Sequence, residues 1–300
     1  MARSSLVAIA LTLAAGWVQA GPIHDAAGAG DVGAIRRLIS QGADVNEIDW
    51  VGGTPLHAAA LKGRLKVAEI LIAEGASVDE PAGTLGATAL HMAAIGGHRD
   101  LAALLLAQGA DVDARDDTLK TPLHFAAEYG SIAVAELLVA SGADLNARDQ
   151  NDGTAIDRAG LEDHFDIVDL LVASGFTAPP VEPITGLLRD ADPEIGRKVF
   201  IQCRQCHTID KGGADETGPN LWGVMEREKA GSSTFDGYSG AFARLKGAWS
   251  YEDLNAFLAS PIDYAPGTSM TRLGLKDPAE RAAVIVYLRE NGDDPPPLPE

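Results

Sequence analysis

Cysteine is almost absent from this sequence: Cys203 and Cys206 are the only two among 300 residues. Since both belong to one short motif, no thiol is left for a structural disulfide elsewhere in the chain. No apolar run beyond the first 20 residues approaches the length of a membrane span. Positive charge is also scarce, with 24 Lys and Arg against 43 Asp and Glu and a net charge of −19. Such an acidic chain repels nucleic acid and anionic lipid, so neither is predicted as a partner.

Both cysteines lie in the run Cys203-Arg-Gln-Cys206-His207, a pattern typical of covalent c-type haem attachment. Two thiols at this spacing can bond to the two vinyl groups of one haem, and the next histidine can place its imidazole on the iron. A redox-active thiol pair and half of a zinc site are the alternative interpretations. A zinc site requires further Cys or His nearby, and none follows His207. The motif therefore favours haem.

A second iron ligand is available downstream of this motif. Haem iron held by one histidine often takes a methionine as its other ligand in electron-transfer proteins. Only Met225 and Met270 follow His207. Met270 ends the segment Tyr264-Ala-Pro-Gly-Thr-Ser-Met270, in which Pro and Gly indicate a turn that can carry a thioether across the far haem face. Met270 is the favoured ligand, and Met225 is the alternative, since its sulfur can equally serve core packing.

Five short segments match those of a known family in order and in spacing. They are Gly196 with Phe200, and residues 203–213, 217–221, 266–270 and 283–288. Residues 192–291 thus resemble class I cytochromes c, close to the mitochondrial type. The resemblance implies an all-α haem domain over residues 191–291, with His207 and Met270 as axial ligands of one covalently bound haem c. It also implies that the carbonyl of Pro219 accepts a hydrogen bond from the second ring nitrogen of His207, which fixes the tautomer.

The same resemblance implies roles for several aromatic and basic side chains. Arg227, Tyr238 and Trp249 stand where the family contacts the haem propionates. Phe200 and Tyr287 stand where the two terminal helices of the family cross.

A repeat of 33 or 34 residues occupies the first half of the chain. Thr54-Pro-Leu-His57 recurs as Thr88-Ala-Leu-His91, Thr121-Pro-Leu-His124 and Thr154-Ala-Ile-Asp157, in step with a Gly-Ala-Asp or Gly-Ala-Ser marker. The period and the signature resemble ankyrin repeats, which implies an α-solenoid of about five units over residues 22–178. The predicted fold is therefore all-α, an ankyrin solenoid followed by a cytochrome c helical domain. The first and last units have degenerate signatures, as expected of capping repeats.

The repeated histidines and a cluster of aspartates raise the hypothesis of metal sites. His57, His91 and His124 recur at one repeat position and would stack in a row. In this repeat the Thr and His usually bond backbone across neighbouring turns, so a structural role is favoured. The acidic stretch at residues 111–117 lacks the glycine and the terminal Glu of a calcium loop, and we interpret it as a solvated turn.

The first 20 residues have the three parts of a secretory signal peptide. Arg3 precedes an apolar run over residues 6–18, and small residues then offer a cleavage site before Gly21. Export agrees with the haem motif, because c-type attachment is expected outside the cytoplasm. We predict a periplasmic location, with secretion as the alternative.

Proline-rich segments flank the predicted haem domain. Residues 179–190 are predicted to be a semi-rigid linker, and residues 292–300 a disordered tail. Trp50 lies in a turn ahead of the first full Thr-Pro-Leu-His signature. It could anchor a binding partner or fold back as a cap over the first repeat, and the sequence leaves both open.

These features together predict an electron-transfer protein rather than an enzyme. With His207 and Met270 both on the iron, no position is open for a substrate. The ankyrin repeats would dock a protein redox partner. The alternative is a haem enzyme, such as a small-molecule peroxidase, in which Met270 leaves the iron, although no distal histidine is available for it. A scaffold with a vestigial haem is disfavoured, because the full ligand set is present.

Overall fold

The computed structural model describes residues 21–49, 53–178, 180–266, 268, 270 and 274–299. Apart from two isolated bridges, the regular elements within these ranges are helices, so the all-α prediction is confirmed. The contacts divide the chain into two compact units. The first extends to Pro122 and includes residues 140–143, and the second comprises residues 123–139 and everything from Asp144 onward. The predicted signal peptide and Trp50 lie outside the described residues.

The first unit consists of helices that pack in pairs. Thr54 and Thr88 precede the first helix of their pairs, and each backbone N–H donates to Nδ1 of a histidine three residues later, at 3.2 Å for His57 and 3.0 Å for His91. These caps satisfy donors that a helix start leaves open. The helices are α1 (Pro22–Ala29), α2 (Val32–Ser40), α3 (Pro55–Leu61), α4 (Leu65–Ala73), α5 (Ala89–Gly96) and α6 (Arg99–Ala107).

Histidine side chains also join each repeat of this unit to the next. Nε2 of His57 donates to the carbonyl of Ala87 at 3.1 Å, and Nε2 of His91 donates to that of Lys120 at 3.1 Å. Burial is the main reason that the pKa of His57 is lowered to about 4, so the ring is neutral at pH 7. Among the described residues no cluster of three or more His, Cys, Asp or Glu could hold a metal ion. Both ring nitrogens of His57 and His91 are bonded within the protein, which supports the structural role that the sequence predicts.

The second unit begins with the remaining repeat helices and continues into the region of the haem motif. The repeat helices are α7 (Pro122–Glu128, whose first residue belongs to the first unit), α8 (Ile132–Ala140, whose last residue belongs to the first unit), α9 (Ala155–Leu161) and α10 (Phe165–Ala173). They are followed by α11 (Thr185–Leu188), α12 (Pro193–Phe200), α13 (Gly240–Ala243), α14 (Tyr251–Ala259), α15 (Pro261–Tyr264) and α16 (Pro278–Glu290). Short 3₁₀ turns occur at Cys203–Gln205 and Val224–Glu226.

Helices α12 and α16 cross in direct contact and frame the haem-motif region. The rings of Phe200 and Tyr287 lie 5.3 Å apart between centroids, which confirms the packing that the sequence predicts. Gly196 makes this approach possible, because a Cβ at that position would lie 2.0 Å from the carbonyl oxygen of Ala283. The crossing therefore requires a glycine in α12.

The segments on either side of this region make more contacts than their composition suggests. Ile184 and Leu188, within the predicted linker, are buried in the core of the second unit. In the predicted tail, the carbonyl of Pro296 accepts hydrogen bonds from Tyr251 Oη and Arg289 Nε, both at 2.8 Å. Proline has no backbone N–H to donate, but its carbonyl still accepts hydrogen bonds. A proline-rich segment without regular structure can therefore bind a helical surface through its carbonyl groups.

No described helix combines the length and the apolar composition that a bilayer crossing requires.

Candidate functional site

An apolar cavity of about 410 Å³ lies in the second unit, next to α12, α14 and α16. This volume is in the range of ordinary ligand sites. Phe242, Phe257 and Leu258 contribute much of its apolar wall. All eight residues that the sequence predicts as haem contacts line this one cavity: Cys203, Cys206, His207, Pro219, Arg227, Tyr238, Trp249 and Met270.

The two cysteines stand at the edge of the cavity on a tight turn. Cys203 begins the 3₁₀ turn, and its carbonyl accepts hydrogen bonds from the backbone N–H groups of Cys206 at 3.1 Å and of His207 at 3.0 Å. The thiols are not joined in a disulfide. Cys203 is half-buried and Cys206 is exposed. The turn thus presents two thiols and an imidazole to one cavity.

The imidazole of His207 is held by one strong hydrogen bond. Its Nδ1–H donates to the carbonyl of Pro219 at 2.8 Å, which leaves the lone pair on Nε2. Burial lowers the pKa of His207, so the ring is in the neutral form that binds metals. Gly218 permits this arrangement, because a Cβ there would lie 2.3 Å from the Cε1 atom of the ring. This role of Gly218 was not predicted from the sequence.

The two methionines occupy different environments. Met270 is half-buried and lines the cavity, and its backbone N–H donates to Thr268 Oγ1 at 3.3 Å. Met225 is 5% exposed, belongs to the hydrophobic core and is not among the residues that line the cavity. The structure therefore places the favoured methionine, and not its alternative, where a thioether can reach a ligand in the cavity.

The three predicted propionate contacts have partners within the protein as well. Arg227 Nη2 donates to the carbonyl of Asn220 at 2.7 Å, and Tyr238 Oη accepts from the backbone N–H of Ser232 at 3.2 Å. Trp249 is 8% exposed and packs against Phe242, Phe257 and Tyr264, with ring centroids 5.5 to 5.9 Å apart.

A pair of opposite charges next to Trp249 was not predicted from the sequence. Lys229 Nζ lies 5.7 Å from the Trp249 ring centroid and 3.0 Å from Asp253 Oδ1, and its side chain is 11% exposed. Burial opposes ionisation of Asp253, but hydrogen bonds from Ser250, Tyr264 and Lys229 lower its pKa to about 2. The segment Glu228-Lys229 has the composition of an exposed turn, so no local signal indicates that this lysine is buried.

The donor set and the cavity fit haem c. Two thiols, a neutral imidazole with its Nε2 lone pair, and a thioether surround a space with largely apolar walls. A basic side chain, Arg227, lines the same space and can meet a carboxylate. This is the combination that covalent His/Met haem ligation requires.

Comparison with known proteins supports both halves of this description. The family model for ankyrin repeats matches three times, at residues 18–82, 74–149 and 116–179. A protein named cytochrome c homolog from Bradyrhizobium diazoefficiens is 40% identical over 118 residues, which cover 39% of this chain and 64% of that protein. The cytochrome c homolog of Rickettsia prowazekii is 40% identical over 106 residues, which cover 35% of this chain and 60% of that protein.

A shorter relative is matched over most of its length. Cytochrome c of Theileria annulata is 44% identical over 102 residues, which cover 34% of this chain and 87% of that protein. The match to the bacterial homologs, by contrast, spans less than two thirds of their length. With three matches to the repeat family and this coverage of a cytochrome c, the chain belongs to the ankyrin-repeat family and, through its C-terminal part, to the cytochrome c family.

Proposed function

We propose that this chain is an electron-transfer protein that carries one covalent haem c and docks a protein redox partner through its ankyrin repeats. The observation that carries the proposal is the convergence of Cys203, Cys206, His207 and Met270 on one apolar cavity. Haem bound there would supply a one-electron iron couple. The ankyrin repeats support the docking role by fold-level analogy.

Different residues would bind different parts of this cofactor. The two thiols would form the covalent links to the haem, and His207, oriented by Pro219, and Met270 would supply the two protein ligands of the iron. Because both ligand positions would then be taken, we infer electron transfer rather than catalysis on a bound substrate. All histidines except His207 lie at or before residue 164, so the haem region has no second histidine for acid–base chemistry.

Replacement of Met270 tests this proposal directly. Ferric haem with a thioether ligand has a weak red absorption band, and Met270→Ala should abolish it. Met225→Ala is the matched control, since Met225 lies in the core: it should lower the unfolding free energy by ~2 kcal/mol or more and keep the band. Loss of the band in Met225→Ala alone would assign the ligand to Met225. Rapid peroxide-driven substrate oxidation by the unaltered protein would favour the peroxidase-like alternative.

Exposed apolar side chains in the turns between repeats support the proposed docking role. Ile48, Leu85 and Leu119 are 57%, 44% and 45% exposed, each in a turn ahead of a Thr signature. Acidic residues flank Ile48 and precede Leu119 in the sequence, and the backbone N–H of Asp117 donates to the carbonyl of Leu85 at 2.9 Å. This acidic surrounding favours a partner with basic charges around an apolar patch. The double variant Leu85→Asp, Leu119→Asp should slow electron exchange with such a partner and leave the haem spectrum unchanged. Equal exchange rates would argue against these turns as the docking surface.

We also propose that the mature protein is periplasmic. The sequence of residues 1–20 supports this, since it has the three parts of a signal peptide. Cell fractionation with N-terminal sequencing tests it: a periplasmic protein that begins at Gly21 is expected. Haem-loaded protein in the cytoplasm with its first residues intact would contradict it.

A further inference from the structure

One ion pair in the second unit joins the last repeat to the segment that carries Met270. Arg148 Nη2 donates to Asp263 Oδ1 at 2.9 Å, across 115 positions of sequence. The Arg148 side chain is 27% exposed and that of Asp263 is 10% exposed. This pair is thus more shielded than an ordinary surface ion pair, so water screens it less.

Both partners of this pair are held in place by further bonds. Arg148 Nη1 donates to the carbonyl of Asp152 at 2.6 Å, in the turn that precedes α9. The second carboxylate oxygen of Asp263 accepts from Ser260 Oγ at 2.6 Å. Because each side chain has two attachments, the ion pair links two defined backbone segments rather than two freely moving side chains.

Asp263 lies in α15, and the end of this helix leads directly into the Met270 loop. The backbone N–H of Ala265 donates to the carbonyl of Pro261 at 2.9 Å, and the backbone N–H of Thr268 donates to the carbonyl of Ala265 at 2.9 Å. Thr268 Oγ1 then accepts from the backbone N–H of Met270. A continuous set of hydrogen bonds therefore runs from the Asp263 helix to the backbone of the predicted ligand.

We propose that Arg148 is a positioning residue: acting through Asp263, it holds the backbone of Met270 at the haem cavity. The inference rests on the proposed role of Met270 as an iron ligand. The consequence is a link between haem ligation by Met270 and partner docking by the repeats. The turn that contains Asp152 belongs to the repeats, so a protein that binds this turn would change how firmly Met270 is held.

Imidazole binding to the ferric, haem-loaded full chain measures how firmly Met270 is held. Imidazole competes with Met270 for the iron, so its apparent affinity rises with the fraction of molecules in which Met270 is off the iron. Arg148→Gln and Asp263→Asn should each raise that affinity ~10-fold, a typical coupling between linked sites. The exchanged pair Arg148→Asp with Asp263→Arg should restore most of the original value.

A second ion pair provides a matched control. Arg244 Nη2 bonds Asp169 Oδ1 at 2.6 Å and likewise joins the haem region to a repeat helix, but it lies at the end of α13, far in sequence from the Met270 loop. Arg244→Gln should leave imidazole affinity unchanged. An equal effect of Arg244→Gln, or no effect of Arg148→Gln and Asp263→Asn, would overturn the inference.

Failure of the proposed function gives a different result. If the unaltered ferric protein lacks the red thioether band, Met270 is not a ligand and both ideas fall together. If that band is present and the Arg148→Gln and Asp263→Asn variants bind imidazole as the unaltered protein does, only the positioning role is lost.

Discussion

Asp157 receives from Thr154 the same two hydrogen bonds that His57 receives from Thr54. The backbone N–H and the hydroxyl of Thr154 donate to Asp157 Oδ2 at 2.8 and 2.7 Å. Nδ1 of His57 is bonded in the same way, at 3.2 and 2.8 Å. The other end of the side chain differs: Nε2 of His57 reaches the next repeat, whereas Oδ1 of Asp157 is buried without a hydrogen-bond partner. The last repeat therefore keeps the helix cap but lacks the side-chain hydrogen bond to a following repeat.

This arrangement makes the stability of the last repeat dependent on pH. Burial, and to a lesser degree the nearby Asp263, raises the pKa of Asp157 to about 6. The folded protein therefore binds a proton between pH 6 and the ordinary aspartate pKa near ~4, where the unfolded chain does not. The cost of burying this charge is present above pH 6 and disappears on acidification. Asp157→Asn should stabilise the protein by ~2 kcal/mol at pH 8 and lose this advantage near pH 4. Denaturant unfolding at both pH values measures this difference in stability. A gain that does not change with pH would contradict the buried charge of Asp157 as its cause.

His57 should give a pH dependence of the opposite sign. Burial is the chief reason that its pKa is about 4 in the folded state, well below the ordinary value of 6.5. The unfolded chain thus binds a proton first, so stability is lost as the pH falls from 6.5 toward 4, by up to ~3 kcal/mol. His57→Gln should lower stability at pH 7 and flatten this slope. Denaturant unfolding of both proteins between pH 4 and 7 tests the point, and an unchanged slope would assign the acid sensitivity to other groups.

Gly196 should tolerate no side chain. A Cβ would meet the backbone of Ala283 in α16, which cannot move without opening the helix crossing. We expect Gly196→Ala to cost ~3 kcal/mol and to reduce the yield of haem-loaded protein. Gly186→Ala is the control, because Gly186 in α11 has open space around it; it should be neutral or slightly stabilising. Thermal unfolding of the two variants side by side decides the matter, and equal stability would argue against close packing of α12 on α16.

Leu119 has an unfavourable backbone conformation for its side chain. Its φ is +62°, and its N–H donates to the carbonyl of Asp116 at 2.9 Å within a tight turn. Asp152 occupies the matching position of the next repeat with φ +64°, where a short polar residue is tolerated. Leu119→Asn should therefore stabilise the repeats by ~1 kcal/mol.

Leu85→Asn is the control for this change. Leu85 is equally exposed, in the preceding turn, but its φ is not positive, so no gain is expected. Urea unfolding followed by far-UV circular dichroism compares the two variants. A gain in both would point to the removal of an exposed leucine rather than to relief of backbone strain.

The sequence by itself determined the features that depend on neighbouring residues. The Thr-to-His caps span three positions, and the thiols and imidazole of the haem motif lie within five. Both arise from local backbone geometry, so their pattern is visible without the fold. The resemblance to ankyrin repeats likewise implied that these histidines bond backbone across neighbouring turns, as His57 and His91 do.

Only the tertiary structure decided which charges lie inside the second unit. Lys229 and Asp253 form a shielded pair behind Trp249, and Arg148 reaches Asp263 across 115 positions. Neither pairing has a sequence signal, because Lys, Arg and Asp usually lie at the surface and their burial depends on distant segments. The same holds for Pro296, whose carbonyl binds Tyr251 and Arg289. Side chains that are far apart in the chain meet only when the helices pack, and that packing also separates the core position of Met225 from the cavity position of Met270.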